Sequence, residues 1–143
     1  LYDIDIENYD FAAVRDYFGK WFIDYKYMNS GVLLMNLKRM RKSKVLAECR
    51  KMCREKKMLL PDQTALNVKC KSKLCLPRKY NEQKERKEDT VIRHFSMTIK
   101  FFPYFHTLNI KPWHIDNIHN VYKINDFDDI LEEYLKIKGE KVI

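Results

Sequence analysis

The sequence predicts an α/β fold, and three observations carry that prediction. Phe11-Ala12-Ala13-Val14 and Val32-Leu33-Leu34-Met35-Asn36 are short, largely apolar runs with the length of buried strands. Apolar positions 45, 46, 49, 52 and 53 recur at helical spacing within residues 43–57, leaving Arg50, Lys51 and Arg54 facing water. A final amphipathic segment then closes on a glycine. Short buried strands alternating with helices define the class, and no internal repeat is present.

Taken in order, the first strand runs into Arg15-Asp16, so its end carries an acid. Tyr27-Met28-Asn29-Ser30-Gly31 opens the second strand, and the basic helix over 43–57 follows. Pro61-Asp62 starts a short helix through Val68, since proline is tolerated in a first turn and a carboxylate suits the positive helix end. Leu74-Cys75-Leu76 and Val91-Ile92-Arg93-His94-Phe95 read as two more short strands. Between them residues 82–89 hold four acids and three bases, the composition of a solvated loop of mixed sign. Phe101-Phe102-Pro103-Tyr104-Phe105 is an aromatic insertion around a turn. The closing helix is placed within 121–138. Asn125 or Asp126 can cap it, Asp128, Asp129, Glu132 and Glu133 crowd its early turns, and Lys136 and Lys138 its last. Phe127, Ile130, Leu131, Tyr134 and Leu135 make one apolar stripe, and Gly139 ends the helix.

A chain of 143 residues, 45% apolar and 13% aromatic, suits one compact domain over 1–143 with a real core. Three glycines and four prolines are too few for a linker-rich or disordered chain. Wholly apolar runs stop at four residues, far short of a membrane span. The opening Leu1-Tyr2-Asp3-Ile4 has neither an initiator Met nor a helix cap, and the chain is expected to enter in the middle of a fold as part of a longer one. Cys49 and Cys53 share a helical face, and Cys70 and Cys75 lack the tight paired spacing of a zinc knuckle. Buried free thiols in a reducing, cytoplasmic setting are therefore expected. The net charge of +8 is concentrated: residues 38–57 hold ten Lys/Arg and two Glu, and the other residues are neutral. Such a segment is either a solvated helix face or a surface that meets phosphates or an anionic membrane. It does not describe a diffusely basic nucleic-acid binder, and the aromatics cluster elsewhere, so nucleic acid is not the expected partner.

Three stretches go beyond fold signals. In Asn29-Ser30-Gly31 the glycine lets backbone approach a ligand closely and the amide both donates and accepts, although the tripeptide also makes an ordinary turn. In Pro61-Asp62-Gln63-Thr64-Ala65-Leu66-Asn67 a carboxylate and an amide at a helix start can grip sugar hydroxyls. The plain alternative is a helix start with Gln63 exposed. In Val91-Ile92-Arg93-His94-Phe95, with Asn109-Ile110-Lys111-Pro112-Trp113 further on, an imidazole and an ammonium suit a metal–diphosphate pair, though a histidine there can equally be structural.

Together and in this order, the three stretches resemble family-8 glycosyltransferases, which include glycogenin and bacterial lipopolysaccharide galactosyl- and glucosyltransferases. The family pattern F-N-S-G-V-L-L-x-N-L stands here as Met28 to Leu37, D-Q-D-x-L-N as Asp62 to Asn67, and H-F-x-G-x-x-K-P-W as His94-Phe95 with Lys111-Pro112-Trp113. The resemblance spans about Leu1 to Ile130. It implies the C-terminal part of a GT-A fold, a mixed sheet flanked by helices, a UDP-sugar donor, Mn²⁺ or Mg²⁺, and retaining transfer of a glucose or galactose to a hydroxyl. By matching position it implies Asp62 and Gln63 as catalytic residues, Asp62 holding the donor sugar and Gln63 beside the anomeric carbon. Asp16, Asn29, Ser30 and Gly31 would line the sugar site, Lys111 would contact the diphosphate, and His94 would ligate the metal.

The pattern departs from the family at Thr64, which replaces the third residue of D-Q-D, and in the expanded interval from His94 to Lys111, with Leu108 where a glycine would stand. His106 lies nearer to Lys111 but at five residues rather than six, and His94 has the matching Val-Ile-x-His-Phe context. The family's D-x-D metal motif belongs upstream of all these stretches. Asp3-Ile4-Asp5 is not that motif, because only Leu1 and Tyr2 precede it. The expected acceptor is a glycan or lipid-linked hydroxyl in cell-surface or lipopolysaccharide synthesis, with peripheral contact at the inner membrane face. A non-catalytic basic module binding RNA or an anionic surface, and a degenerate structural relative of the enzyme, are the rival readings.

Overall fold

The computed structural model describes residues 1–139, which divide into two compact units, Leu1–His94 and a second that begins at Phe95. In the first, β1 (Phe11–Arg15) is the middle strand of a three-stranded sheet, with β2 (Met28–Met35) antiparallel on one side and β3 (Lys73–Cys75) parallel on the other. Helices α1 (Gly19–Phe22), α2 (Leu37–Ser43), α3 (Val45–Glu55) and α4 (Pro61–Lys69) flank this mixed sheet, in agreement with the α/β prediction.

The central strand is apolar on both faces, and its alternation builds two clusters. Phe11 and Ala13 pack with Met28, Met40, Val45, Met52, Ala65 and Leu66 under the helices. Ala12 and Val14 pack with Leu76, against Ile4, Ile6 and Leu34. One buried carboxylate ties the elements at the start of β1. Asp10 accepts the backbone N–H groups of Lys71 and Ser72, both at 3.1 Å, and the Arg39 Nε–H at 2.9 Å. Its own carbonyl accepts the N–H of Asn36 at 3.0 Å.

Several elements differ from the sequence reading. The helix predicted over 43–57 is α3, and the basic residues ahead of it form the separate helix α2, because Lys44 adopts a left-handed conformation with φ of 57° between the two. Asn36 is not the last residue of a strand. Its side chain caps α2 by accepting the Arg39 N–H at 3.0 Å, and its amide donates to the Ile6 and Glu7 carbonyls, both at 3.1 Å. Residues 91–95 form no strand. Glu82 and Arg93 make a single parallel bridge, carried by Glu82 N–H to Ile92 O and His94 N–H to Glu82 O, both at 2.9 Å. Glu82 itself is 2% exposed rather than part of a solvated loop, because its carboxylate takes the Arg78 guanidinium and the Lys84 N–H. All four cysteines are free thiols, but only Cys49 and Cys70 are buried, Cys53 being half-buried and Cys75 exposed at the end of β3. Burial pushes the Cys70 thiol up to about 12 and raises that of Cys49.

The second unit opens with a hairpin, β4 (Thr98–Lys100) against β5 (His106–Leu108), whose turn is the aromatic insertion. The stretch expected as one helix over 121–138 is divided. A short α5 (Ile115–Asn117) continues into a π-helical turn at Ile118–Tyr122, Lys123 turns left-handed at φ 54°, and α6 covers Asp128–Lys138. Phe127 takes the N-cap position, with no side-chain cap from Asn125 or Asp126, and Gly139 closes the helix at φ 76°. Only Leu131 and Leu135 of the predicted stripe are buried, while Ile130 and Tyr134 lie exposed, so the helix seals along a narrow i,i+4 seam. No helix among the described residues is long and apolar enough to cross a membrane.

Replacing Asp10 by Ala strands two backbone N–H groups and the Arg39 fork, so it should cost about 2–4 kcal/mol of stability. Asp10→Asn keeps an acceptor and should cost less. Urea unfolding of both variants checks the ranking; equal stability of Asp10→Ala and the parent would refute it.

Candidate functional site

The site begins with a break in the sheet. Ala13 pairs with Leu33, yet Arg15 pairs with Met28, so a single β1 residue, Val14, opposes residues 29–32 of β2. Asn29-Ser30-Gly31 is therefore a bulge inside β2, not a turn before it. Bulges re-aim side chains and remove backbone groups from the ladder. Here the N–H groups of Ser30 and Gly31 turn to side-chain amides: Ser30 N–H donates to Gln63 Oε1 at 3.0 Å, and Gly31 N–H to Asn29 Oδ1 at 2.8 Å.

Both of those amides are held by one carboxylate. Asp16 Oδ2 accepts Asn29 Nδ2 at 2.9 Å and Gln63 Nε2 at 3.2 Å. Its Oδ1 accepts the N–H groups of Phe18 at 3.0 Å and Gly19 at 2.7 Å, which fixes the start of α1. Asp16 is thus saturated by protein donors and acts as the anchor of the cluster. Gln63, at 4% exposure, is buried by this arrangement rather than exposed at a helix start.

On the solvent side, Asp62 lies exposed in the first turn of α4 and accepts the Ser30 hydroxyl at 2.9 Å. Two further ties set α4 against β2. Asn67 exchanges hydrogen bonds with the Met28 backbone, N–H to Oδ1 and Nδ2 to carbonyl, both at 2.7 Å. Thr64, the departure from D-Q-D, pairs its hydroxyl with that of Tyr27 at 2.8 Å. The position that lost a carboxylate has a structural partner instead.

A second branch leads to the imidazole. Because Asp16 only accepts, Asn29 must turn its NH₂ toward it and its oxygen toward Gly31 and Asn81. Asn81 Nδ2 donates to that oxygen at 2.9 Å, leaving Asn81 Oδ1 at 3.0 Å from His94 Nδ1. His94 must then carry its proton on Nδ1, which places the lone pair on Nε2. Gly31 makes room for the ring: a Cβ there would collide with Cε1 and Nδ1 of His94. Asn81, fully buried, was not singled out by sequence reasoning. Its one mark is an uncharged amide between Tyr80 and the charged run that follows.

Of the remaining candidates, Lys111 and His106 stand in the second unit. The Lys111 ammonium donates to the Phe95 carbonyl at 2.8 Å, and His106 Nδ1–H bonds the Tyr104 carbonyl at 2.9 Å. Asp5 accepts the Glu7 N–H at 2.8 Å, a local turn bond. Among the described residues no group of three or more His, Cys, Asp or Glu could hold a metal ion. His94 fits as one donor to a divalent cation, but these residues do not by themselves make a metal centre.

A carboxylate, fixed amides, a hydroxyl and an imidazole gathered around the bulge can hydrogen-bond a polyhydroxylated ligand. The profile of the family described as Glycosyl transferase family 8 matches residues 1–117, and the chain belongs to that family. The mixed sheet and its helices are compatible with part of the GT-A fold that the family implies. Neither a curated protein nor a solved structure matches the chain.

Gly31→Ala must displace the His94 ring, and overpacking of this kind costs about 1–3 kcal/mol. Thermal unfolding should register that loss, and the His94 side-chain ¹⁵N resonances should move with it. Parental stability with unmoved resonances would mean the ring does not pack on Gly31.

Proposed function

We propose that the chain is the sugar-side part of a retaining glycosyltransferase that moves glucose or galactose from a UDP-sugar to a hydroxyl acceptor. The observation that carries this reading is the joining of Asp62, Ser30, Gln63, Asp16, Asn29, Asn81 and His94 into one hydrogen-bonded cluster, within a chain of glycosyltransferase family 8.

Asp62 is the one carboxylate of the cluster exposed to a substrate, and the Ser30 hydroxyl holds one of its oxygens in place. Its role is to accept the donor sugar's hydroxyls. Gln63 Oε1 accepts the Ser30 N–H at 3.0 Å, with the Ser30 hydroxyl oxygen 3.4 Å away, and its role is to lie beside the anomeric carbon. A carbonyl dipole fixed in advance stabilises an oxocarbenium-like centre without reorganising during the reaction. It need not form the covalent ester expected of a carboxylate pair in a retaining hydrolase. Asp16, already saturated, positions Asn29 and Gln63 rather than gripping sugar itself. His94 Nε2 is assigned as one ligand of Mn²⁺ or Mg²⁺, whose charge would offset that of the diphosphate, and Lys111 as a diphosphate contact. The other metal ligands and most of the uridine site are assigned to residues outside this chain, so the chain alone should bind UDP poorly and be inactive. The acceptor is placed in cell-surface glycan synthesis, at the cytoplasmic face of the membrane.

In the longer enzyme this reading implies, Asp62→Asn should cut turnover by about 100-fold or more while leaving UDP affinity unchanged, since UDP carries no sugar. Gln63→Ala should lower kcat far more than it raises the donor KM. Melting temperatures recorded beside the rates separate chemistry from folding. Folded variants that turn over at the parental rate would reduce the motif to a helix start.

A further inference from the structure

A cavity of about 510 Å³ opens in the first unit between the end of β2 and helices α3 and α4. Its wall is largely apolar, with Met35, Leu46, Cys53 and Leu66 contributing, and its volume lies within the range of small-molecule sites. Three charged side chains also line it: Arg50 and Arg54, one turn apart on α3, and Asp62. Lys51 pairs with Glu55 and Lys69 with Glu48, whereas neither Arg50 nor Arg54 forms an ion pair among the described residues. Asp62 is held toward the polar cluster by Ser30.

An open apolar groove bordered by two exposed arginines that form no ion pair among the described residues suits a ligand with two parts. Guanidinium forks match phosphate oxygens, and the chamber matches a hydrocarbon chain. We propose that this cavity binds a single-chain lipid phosphate, its chain between α3 and α4 and its phosphate on Arg50 and Arg54, and that this amphiphile carries the acceptor hydroxyl. The acceptor assignment rests on the reading of Asp62 as the donor-sugar carboxylate, because Asp62 lines both the cavity and the cluster. The two arginines then act as a recognition pair for the substrate, beyond any general attraction of the basic segment to a membrane.

Decyl phosphate below its micelle concentration, titrated onto the chain by calorimetry, tests the site directly. Saturable binding is expected, with inorganic phosphate silent and decanol at least tenfold weaker. Octyl phosphate should bind about tenfold or more weakly, since each buried methylene contributes about fourfold. The double substitution Arg50→Gln/Arg54→Gln should reduce decyl phosphate to the level of decanol, and Leu46→Trp, which fills the chamber, should abolish binding without lowering the melting temperature. Equal affinity for decanol and decyl phosphate would overturn the proposal, as would unchanged binding in either variant. So would a concentration-dependent dimer of the chain that Leu46→Trp dissociates, which would seat a second copy in the cavity. Binding to phosphatidylglycerol vesicles that decyl phosphate does not displace would assign the arginines to a bilayer surface and overturn it too. The two readings fail separately. If Asp62→Asn abolishes turnover but decyl phosphate does not bind, the lipid site alone is lost; if decyl phosphate binds while Asp62→Asn turns over normally, the acceptor assignment is lost.

Discussion

One oxygen atom, Asp16 Oδ2, holds the site together by accepting the amide NH₂ groups of Asn29 and Gln63 at once. Those amides in turn accept the two N–H groups that the bulge in β2 removes from the ladder. A bulge needs such replacement partners, since a buried backbone donor left unpaired costs about 1–3 kcal/mol. The bulge and the carboxylate therefore depend on each other. Without Asp16 the amides lose their orientation, and without the amides Ser30 and Gly31 have no reason to leave the strand register.

From that anchor, donors point inward and acceptors outward along two branches. One passes through Gln63 to the Ser30 backbone, beside the hydroxyl that steadies Asp62. The other passes through Asn29 and Asn81 to His94, and it fixes the imidazole tautomer by hydrogen-bond direction alone. Linked bonds of one polarity reinforce one another in a low-dielectric setting. Residues far apart in sequence thereby share one constraint, and Gly31 serves the second branch twice: its N–H binds the Asn29 amide and its missing Cβ admits the His94 ring.

The parts legible in the sequence were those fixed by local pattern. The apolar run of β1, the proline start of α4 and the glycine stop of α6 each follow from a few adjacent residues. The family resemblance likewise lay in contiguous motifs, and the family is the one the chain belongs to. What escaped notice depends on long-range partners. Asn36 follows an apolar run and looks like strand, but the carbonyls of Ile6 and Glu7 and the open end of α2 draw its side chain into a cap. Glu82 belongs by composition to a solvated run, yet Arg78 and the backbone bridge to residue 93 bury it. Asn81 has meaning only once Asn29 and His94 are known to flank it. Lys44 divides the basic segment over 38–57 into two helices through its backbone conformation, which residue type alone did not announce.

The dependence of the bulge on Asp16 can be measured by amide hydrogen exchange in the isolated chain. The Ser30 and Gly31 N–H groups should exchange much more slowly than exposed amides in the parent. In Asp16→Asn, where an NH₂ or a single oxygen must replace a saturated carboxylate, that protection should collapse at these two positions while Ala12 and Ala13 in β1 keep theirs. Ser30 and Gly31 amides that exchange as freely as exposed peptide in the parent, or that stay protected without the Asp16 carboxylate, would contradict the account.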